Sequence, residues 1–372
     1  MASLLMKDGL AAEAIDRIAL ALTSCDPQFE ADSFRSQALT GLQPLSLKQR
    51  VHHIIGALHQ HLPADYEKAA QLMIQLPNHW TADDSWNYSP FAAWPLIDYH
   101  ASYGLHSPSL ALDTLAELTQ MFTAEFAIRP FILQHAEISH QKLEQWIHSD
   151  NEHIRRLASE GSRPRLPWGE QLKPHIEDPQ KCLYILNALR HDDSLYVRKS
   201  VANHLNDISK DHPATALQIA RDWTTNNPSK YSSWIVKHGM RSLIKQGHPE
   251  VFSLLGFSSQ PDVSHCQLDI QPTSIRIGEA VQMTFSAKSM AEQKLALDYA
   301  IHFVKANGQR RAKVFKGKVV DAQKGQVIQL EKSHSFKLIT TRKYYPGEHH
   351  LEIILNGKVV ANGKFQLQVA DC

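Results

Sequence analysis

The sequence predicts a mainly α protein, an α-solenoid, followed by an all-β sandwich. Three observations carry this reading. Apolar residues recur at three- and four-residue spacing up to about residue 260, an element of that region repeats at an offset of 43 residues, and from about residue 262 the apolar period drops to two.

In SLKQRVHHIIGALHQHLP, the residues Leu47, Val51, Ile54, Ile55, Leu58 and Leu62 share one helical stripe that Pro63 ends. The segments LALDTLAELTQMFTAEFAIR, QKLEQWIHS, QKCLYILNALRH, ATALQIARDWTTNNP and WIVKHGMRSLIKQGHP each predict one helix of about 10 to 20 residues. DNEHIRRLASEG (150–161) resembles DDSLYVRKSVANH (192–204), so that Ile154-Arg155-Arg156 superposes on Val197-Arg198-Lys199. A further step of 43 residues reaches Met240-Arg241, and Ile128-Arg129 is an earlier, irregular copy. Helix pairs at a period of about 40 to 47 residues are HEAT-like units, which stack because one unit cannot bury its own apolar face.

The repeated arginines admit two explanations. Asp150 and Asp193 cap helices while the arginines pair with neighbouring turns. Alternatively, the stack aligns Arg155, Arg156, Arg198, Lys199 and Arg241 on a concave face against a phosphate backbone.

After the linker GFSSQPD (256–262), Val281, Met283 and Phe285 alternate with polar residues, as do Leu295, Leu297, Tyr299, Ile301 and Phe303. The second run leads into Asn307-Gly308, a hairpin signal. Leu351, Ile353 and Leu355 lead into Asn356-Gly357, and Asn362-Gly363 precedes Phe365, Leu367 and Val369. Short alternating strands without a cysteine pair describe an immunoglobulin-like sandwich that lacks the inter-sheet disulfide. The expected domains are 1–258 and 259–372.

Composition bounds the function. The 372 residues are 43% hydrophobic and 21% charged, with 39 Lys+Arg against 38 Asp+Glu. A net charge of +1 taken alone argues against a polyanion partner. Resolved by segment it is −5 over 1–100, −3 over 101–149, +4 over 150–245 and +5 over 246–372, an acidic front and a basic back. The acidic front is expected to face away from any phosphates. Cys25, Cys182, Cys266 and Cys372 show neither a disulfide framework nor a zinc spacing. The amino terminus is interrupted by charges and no 18-residue apolar run occurs, so a soluble protein of the reducing cytoplasm is expected. Nucleotide hydrolysis and serine-hydrolase chemistry lack their glycine motifs. His191-Asp192-Asp193 matches half of an iron facial triad, but it stands at a helix entry where capping is the commoner role. The pairs His52/His53, His59/His61 and His349/His350 are expected to be solvated. Trp80, Trp86, Trp94, Tyr99 and Tyr103 are expected to pack in the core or between repeats rather than to stack on bases.

The densest candidate for chemistry is RRLASEGSRPRLPW (155–168), where Glu160 lies among four arginines before a stiff connection to Trp168. One explanation is an ion-pair cluster. The other has the arginines bind a polyanion while Glu160 faces a developing cation and Trp168 offers a π face. Glu125, in FTAEFAIRPF one turn before Arg129, and Asp207, in VRKSVANHLNDIS, are further carboxylates, each by itself better explained by a structural role.

EFAIRPF (125–131), RRLASEGSRPRLPW (155–168) and VRKSVANHLNDISKDHP (197–213) resemble the AlkC branch of the AlkD/AlkC HEAT-like-repeat DNA glycosylase family. The resemblance covers about 1–258, and the carboxy-terminal module is similar to one that some AlkC members carry. It implies a monofunctional DNA glycosylase that releases cationic alkylated bases, 3-methyladenine and 3-methylcytosine, without base flipping. It also implies double-stranded DNA as partner and neither metal nor cofactor; a duplex on the concave face makes a monomer the simplest expectation, and the composition already points to the cytoplasm and no membrane. On matching positions it implies Glu160, Glu125 and Asp207 as catalytic carboxylates and Trp168 against the deoxyribose or lesion. Arg129, Arg156, Arg163, Arg198 and Lys199 would hold DNA. One departure is informative. The AlkD relatives carry Trp and, three residues later, Arg in the helix matching 197–210, whereas this chain has Asn203 and Asn206. In the sandwich, Arg310, Arg311, Lys313, Lys316 and Lys318 either protect a strand edge or, through Arg311 and Lys313, extend a DNA clamp. The alternative from another class is a non-catalytic HEAT scaffold that binds DNA or a protein. An oxidative demethylase would need iron and 2-oxoglutarate.

Overall fold

In a computed structural model the protein is described over residues 5–81, 88–226, 228–339 and 342–369. Trp86 and Cys372, singled out above, lie outside the described residues. Sixteen α-helices among the described residues precede eight strands, the predicted order of a helical-repeat solenoid and an immunoglobulin-like sandwich. None of these helices is long and apolar enough to cross a membrane. The chain divides into two compact units, Met1–His212 with Asn227–Gly239, and Pro213–Asn226 with Met240–Cys372.

In the first unit the stripe at 47–62 forms the helix Leu47–His61, opened by a capping box between Ser46 and Gln49 and ended before Pro63. Val51, Ile54, Ile55 and Leu58 are buried. The segment 110–129 is not one helix. The helix Pro108–Leu118 stops, Thr119 Oγ1 accepts from the Ala124 amide at 3.2 Å to hold a turn, and Arg129–Gln134 begins anew with Pro130 in its first turn. The segment 234–249 is likewise interrupted, between Lys230–Gly239 and Arg241–Lys245. Of the aromatic stretch, Trp94 and Tyr99 are core residues, while Trp80 lies under the Arg17 guanidinium, 4.5 Å from its ring centre.

The 43-residue repeat corresponds to the helices Glu152–Gly161 and Leu195–Asp211. Their caps are Asn151 and Ser194, one residue beyond the expected Asp150 and Asp193. Asn151 Oδ1 accepts from the His153 amide at 2.9 Å, and Ser194 Oγ from the Tyr196 amide at 3.2 Å. Arg155 Nη1 donates to the carbonyls of Ser149 and Asp150 at 2.8 and 3.0 Å. Arg198 Nη1 donates to those of Asp192 and Asp193 at 2.6 and 2.8 Å. The two arginines therefore act alike, each reaching back six and five residues to staple the turn that enters its own helix. Ile154 and Val197, the preceding residues, both face the core. Arg155 also grips Asp192 through Nε and Nη2 at 2.6 and 3.1 Å, tying one copy to the next. Asp192, the middle residue of His191-Asp192-Asp193, is thus committed to an ion pair and to the Ser194 amide at 2.8 Å, and the Asp193 carbonyl to Arg198, a helix-entry role.

In the second unit the strands are β1 (Val263–Gln271), β2 (Ser274–Arg276), β3 (Ala280–Ser289), β4 (Gln293–Val304), β5 (Arg310–Ala322), β6 (Val327–Ser335), β7 (Gly347–Leu355) and β8 (Lys358–Gln368). They form a three-stranded sheet in the order β1-β3-β6 and a five-stranded sheet in the order β2-β8-β7-β4-β5. The inward positions Val281, Met283, Phe285, Leu297, Ile301, Phe303, Leu351, Ile353 and Phe365 fill the space between them. Cys266 is a free thiol, so packing alone joins the sheets at that point. Asn356 (φ 45°) and Gly357 (φ 80°) both adopt the left-handed region, as a two-residue hairpin between β7 and β8 requires. Asn362-Gly363 makes no turn. It stays extended within β8, paired with Glu352 and Leu351, and a Cβ at Gly363 would come within 2.6 Å of Ile270 Cδ1. His349, expected in solvent, is fully buried, its ring stacked on Phe365 at 5.5 Å and Nδ1 against the Gly347 carbonyl at 3.0 Å.

Candidate active site

The carboxylates singled out in the sequence converge in the first unit as one ionic chain. Glu125 comes from the turn before the helix Arg129–Gln134, Glu160 from the last turn of Glu152–Gly161, and Asp207 from the C-terminal half of Leu195–Asp211. Arg156 Nη1 lies 2.6 Å from Glu125 Oε2 and its Nη2 lies 3.7 Å from Glu160 Oε1. Arg163 Nη1 donates to Glu160 Oε1 at 2.6 Å and its Nε to Asp207 Oδ2 at 2.9 Å. Lys210 Nζ closes the far end on Asp207 Oδ1 at 2.8 Å. The chain thus runs Glu125, Arg156, Glu160, Arg163, Asp207, Lys210, alternating in sign and neutral in sum.

Burial makes these pairs matter. Asp207 is 0% exposed, Glu160 5%, Arg163 6% and Glu125 9%. Charges so withdrawn from water persist only when compensated and hydrogen-bonded. Burial works against the Arg163 guanidinium, but Glu160 and then Asp207 outweigh it and raise its pKa. Arg156 behaves alike, burial being outweighed by Glu125 and Glu160. Thr123 Oγ1 donates to Glu125 Oε2 at 2.8 Å, and the Tyr196 ring lies 4.9 Å from the Arg156 guanidinium.

The connection 162–172 is held from beneath by Arg129, which is 0% exposed. Its Nη1 donates to the carbonyls of Gly161 and Arg163, both at 2.9 Å, and its Nε donates to the Glu170 carbonyl. Burial, then the neighbouring Arg163, lowers the Arg129 pKa to about 10. Arg165 forms a two-pronged pair with Asp211 at 2.7 and 2.8 Å, and the Leu172 amide donates to the Pro164 carbonyl at 3.1 Å. His175 Nδ1 meets the Ser162 carbonyl at 2.9 Å, just after Glu160. On this clamped loop Trp168 stands out, 61% exposed and with φ of 65°.

The residues expected to bind DNA fall into two groups. Arg129, Arg156 and Arg163 turn inward, toward carbonyls or carboxylates, and Arg198 staples its own turn with its guanidinium 4.2 Å from the Tyr231 ring centre. Lys199 presents an exposed side chain, and so, within the second unit, do Arg311 and Lys313 on β5. The acidic front also contributes to the site. Glu125, Thr123 and Arg129 come from it, and Lys48 Nζ donates to the Trp168 carbonyl at 2.8 Å. Asp98, also from this front, accepts from Trp94 Nε1 at 2.7 Å, and burial raises its pKa to about 7. Lys210 was readable, being three residues after Asp207 on one helix face. Thr123, Tyr196 and Lys48 left no local signal.

Two models of known families match the chain: one described as a DNA alkylation repair enzyme, over residues 122–243, and one described as the C-terminal Ig-like domain of the uncharacterised protein YhaZ, over 264–369. The uncharacterized protein YhaZ of Bacillus subtilis (strain 168) is 38% identical over 356 residues, 95% of this chain and 97% of that one. The Pseudomonas fluorescens alkylpurine DNA glycosylase AlkC, solved bound to DNA containing an abasic site analog, superposes with a TM-score of 0.90 at 38% identity. That match covers 98% of this chain and 100% of the other.

Removing one link should expose the cost of the others. Arg163→Met leaves Glu160 and Asp207 facing each other without their shared cation and should cost about 3–5 kcal/mol in urea unfolding; a change within measurement error would show the chain to be weakly coupled. Acid should act through His175, which is 1% exposed and whose pKa burial lowers to about 4. Below about pH 6.5 the unfolded chain binds a proton that the folded one refuses, so stability is complete above that value and falls by up to about 3 kcal/mol toward pH 4. His175→Asn, which keeps a donor for Ser162, should reduce this slope in pH-dependent melting; an unchanged slope would assign it to other groups.

Proposed function

Because the chain belongs to the AlkC branch of the AlkD/AlkC HEAT-like-repeat DNA glycosylase family, we propose that it hydrolyses the N-glycosidic bond of cationic alkylated bases in double-stranded DNA. The bases are 3-methyladenine and 3-methylcytosine, and they are removed without being flipped from the duplex. The observation that carries this reading is the buried alternation of Glu125, Arg156, Glu160, Arg163 and Asp207, with an exposed Trp168 on the loop that follows Glu160.

Alkylation turns the base into a cationic leaving group, so its departure needs no general acid. The C1′–N bond breaks with its electron pair going to the base, which becomes neutral, and the deoxyribose is left as an oxocarbenium-like cation. Carboxylate oxygens stabilise that cation, and one of them orients a water whose oxygen bonds to C1′ as it passes a proton to that carboxylate. Here Glu160 is the first choice for contact, with Glu125 and Asp207 as the supporting carboxylates. The arginines supply preorganisation. Each carboxylate is already fixed by a neighbouring guanidinium, so little reorientation accompanies the reaction. Trp168 packs its indole against the deoxyribose or lesion. Lys199, Arg311 and Lys313 hold phosphates, which position the duplex without reading its sequence. Residues 1–258 form the glycosylase domain and 259–372 an accessory DNA-binding domain. The enzyme is monofunctional, acts as a monomer in the cytoplasm, and uses neither metal nor cofactor.

Mass spectrometry of bases released from methylated duplex DNA tests the chemistry. The wild type should release 3-methyladenine and 3-methylcytosine, and Glu160→Gln should lower the single-turnover rate by about 10²–10³-fold. Full release by Glu160→Gln would remove Glu160 from the mechanism, and a wild type that binds DNA but frees no base would establish a scaffold. Replacing both Arg311 and Lys313 by Ser should weaken duplex binding and reduce the slope of log K against log salt by about 1 to 2; identical slopes would place both cations outside the interface.

A further inference from the structure

The turn that carries Trp168 is built against its own residue preference. Gly169 N donates to the Leu166 carbonyl at 3.2 Å, so Leu166-Pro167-Trp168-Gly169 is a β-turn with Pro in second place. A positive φ of 65° in third place gives it the character of a type II turn. That third place favours glycine, because a bulky side chain crowds its own backbone there. In this chain the glycine comes one residue late and a tryptophan takes the strained position. Such a residue persists when its surroundings over-determine it.

Contacts on both sides of the turn do so here. On the far side of Trp168, Arg129 Nε holds the Glu170 carbonyl, and the Leu172 amide returns to the Pro164 carbonyl at 3.1 Å. At Trp168 itself the contact is Lys48 Nζ, which donates to the Trp168 carbonyl at 2.8 Å across 120 residues of chain. Lys48 stands in the first turn of the helix Leu47–His61, whose start is fixed by the Ser46 and Gln49 capping box, so its side chain leaves from a defined point. The Lys48 charge is also felt by Asp98, which is tied to Trp94 through Oδ2 and has its other carboxylate oxygen buried without a partner. Trp94 in turn stacks on Phe126 at 5.5 Å, next to Glu125.

We propose that Lys48 is a positioning residue of the glycosylase reaction: by holding the Trp168 carbonyl it fixes the left-handed backbone that presents the indole to the lesion. The proposal rests on the function inferred above. Lys48 touches neither base nor sugar and acts only through Trp168.

The test uses the full-length protein with Lys48→Met, Lys48→Arg, Trp168→Ala and the double variant Lys48→Met/Trp168→Ala. Hydrogen exchange at the Gly169 and Leu172 amides reads the loop without reference to activity, and single-turnover release of 3-methyladenine reads the chemistry. Lys48→Met should speed exchange at both amides and slow base release by about 10- to 100-fold, as misplacement of a contact group does. Its affinity for undamaged duplex should stay within about twofold, since rate and binding separate when an interaction serves the transition state. Lys48→Arg, which retains a donor, should recover most of the rate, and Lys48→Met should cost nothing further once Trp168 is Ala. Unchanged exchange, loss of affinity without loss of rate, or multiplying losses in the double variant would each overturn the proposal. A wild type that releases no base fails before any variant is made, which separates failure of the functional reading from failure of this one.

Discussion

Withdrawing three carboxylates from water is the constraint around which the first unit is built. Glu125, Glu160 and Asp207 sit on separate helices or turns, and none could be buried alone without a large desolvation cost. Arg156 and Arg163 solve this by each serving two carboxylates, so that the elements can approach only in the arrangement that closes every pair. Arg129 extends the constraint to the backbone. By taking the carbonyls of Gly161, Arg163 and Glu170, it satisfies acceptors at and beyond the end of the helix that carries Glu160. The loop with Trp168 is thereby referenced to the same frame as the carboxylates.

Much of the architecture was legible because it rests on local periodicity. The change of apolar period near 262, the Asn356-Gly357 turn and the equivalence of residues 155 and 198 all reappear as structure. The misses have a common cause, which is that one sequence signal can serve two physical ends. Asn362-Gly363 has the composition of a turn, but its glycine makes room for Ile270. The segment 110–129 has helical periodicity, but Thr119 captures the Ala124 amide and ends the helix. His349 has a polar side chain, but its ring completes an aromatic cluster with Phe336 and Phe365.

At the site, residue types were easier to read than their partners. Glu160 could be named because a carboxylate among four arginines is conspicuous, whereas Glu125 and Asp207, each alone more consistent with a structural role, gain a catalytic reading only through the family resemblance. What the arginines do could not be read, since a guanidinium beside phosphate and one beside carboxylate look the same in a sequence. Segment charge misled in the same way. The first 149 residues total −8, yet Lys48 and Arg129, two of their eight cations, both hold the 162–172 loop. A net charge averages over residues whose positions, not number, decide what they face.

The arginine staple bears on how such a repeat array can change length. Arg155 and Arg198 each span a fixed stretch of five to six residues back to paired carbonyls, and Arg155 also reaches across to Asp192 of the following copy. An insertion or deletion between Ser149 and Arg155, or between Asp192 and Arg198, would move the carbonyls out of reach and break the turn and the joint between copies at once. The segment 119–128 lies outside these spans and has a shorter link of its own, Thr119 Oγ1 to the Ala124 amide. Length variation within these spans is therefore metered by side-chain reach.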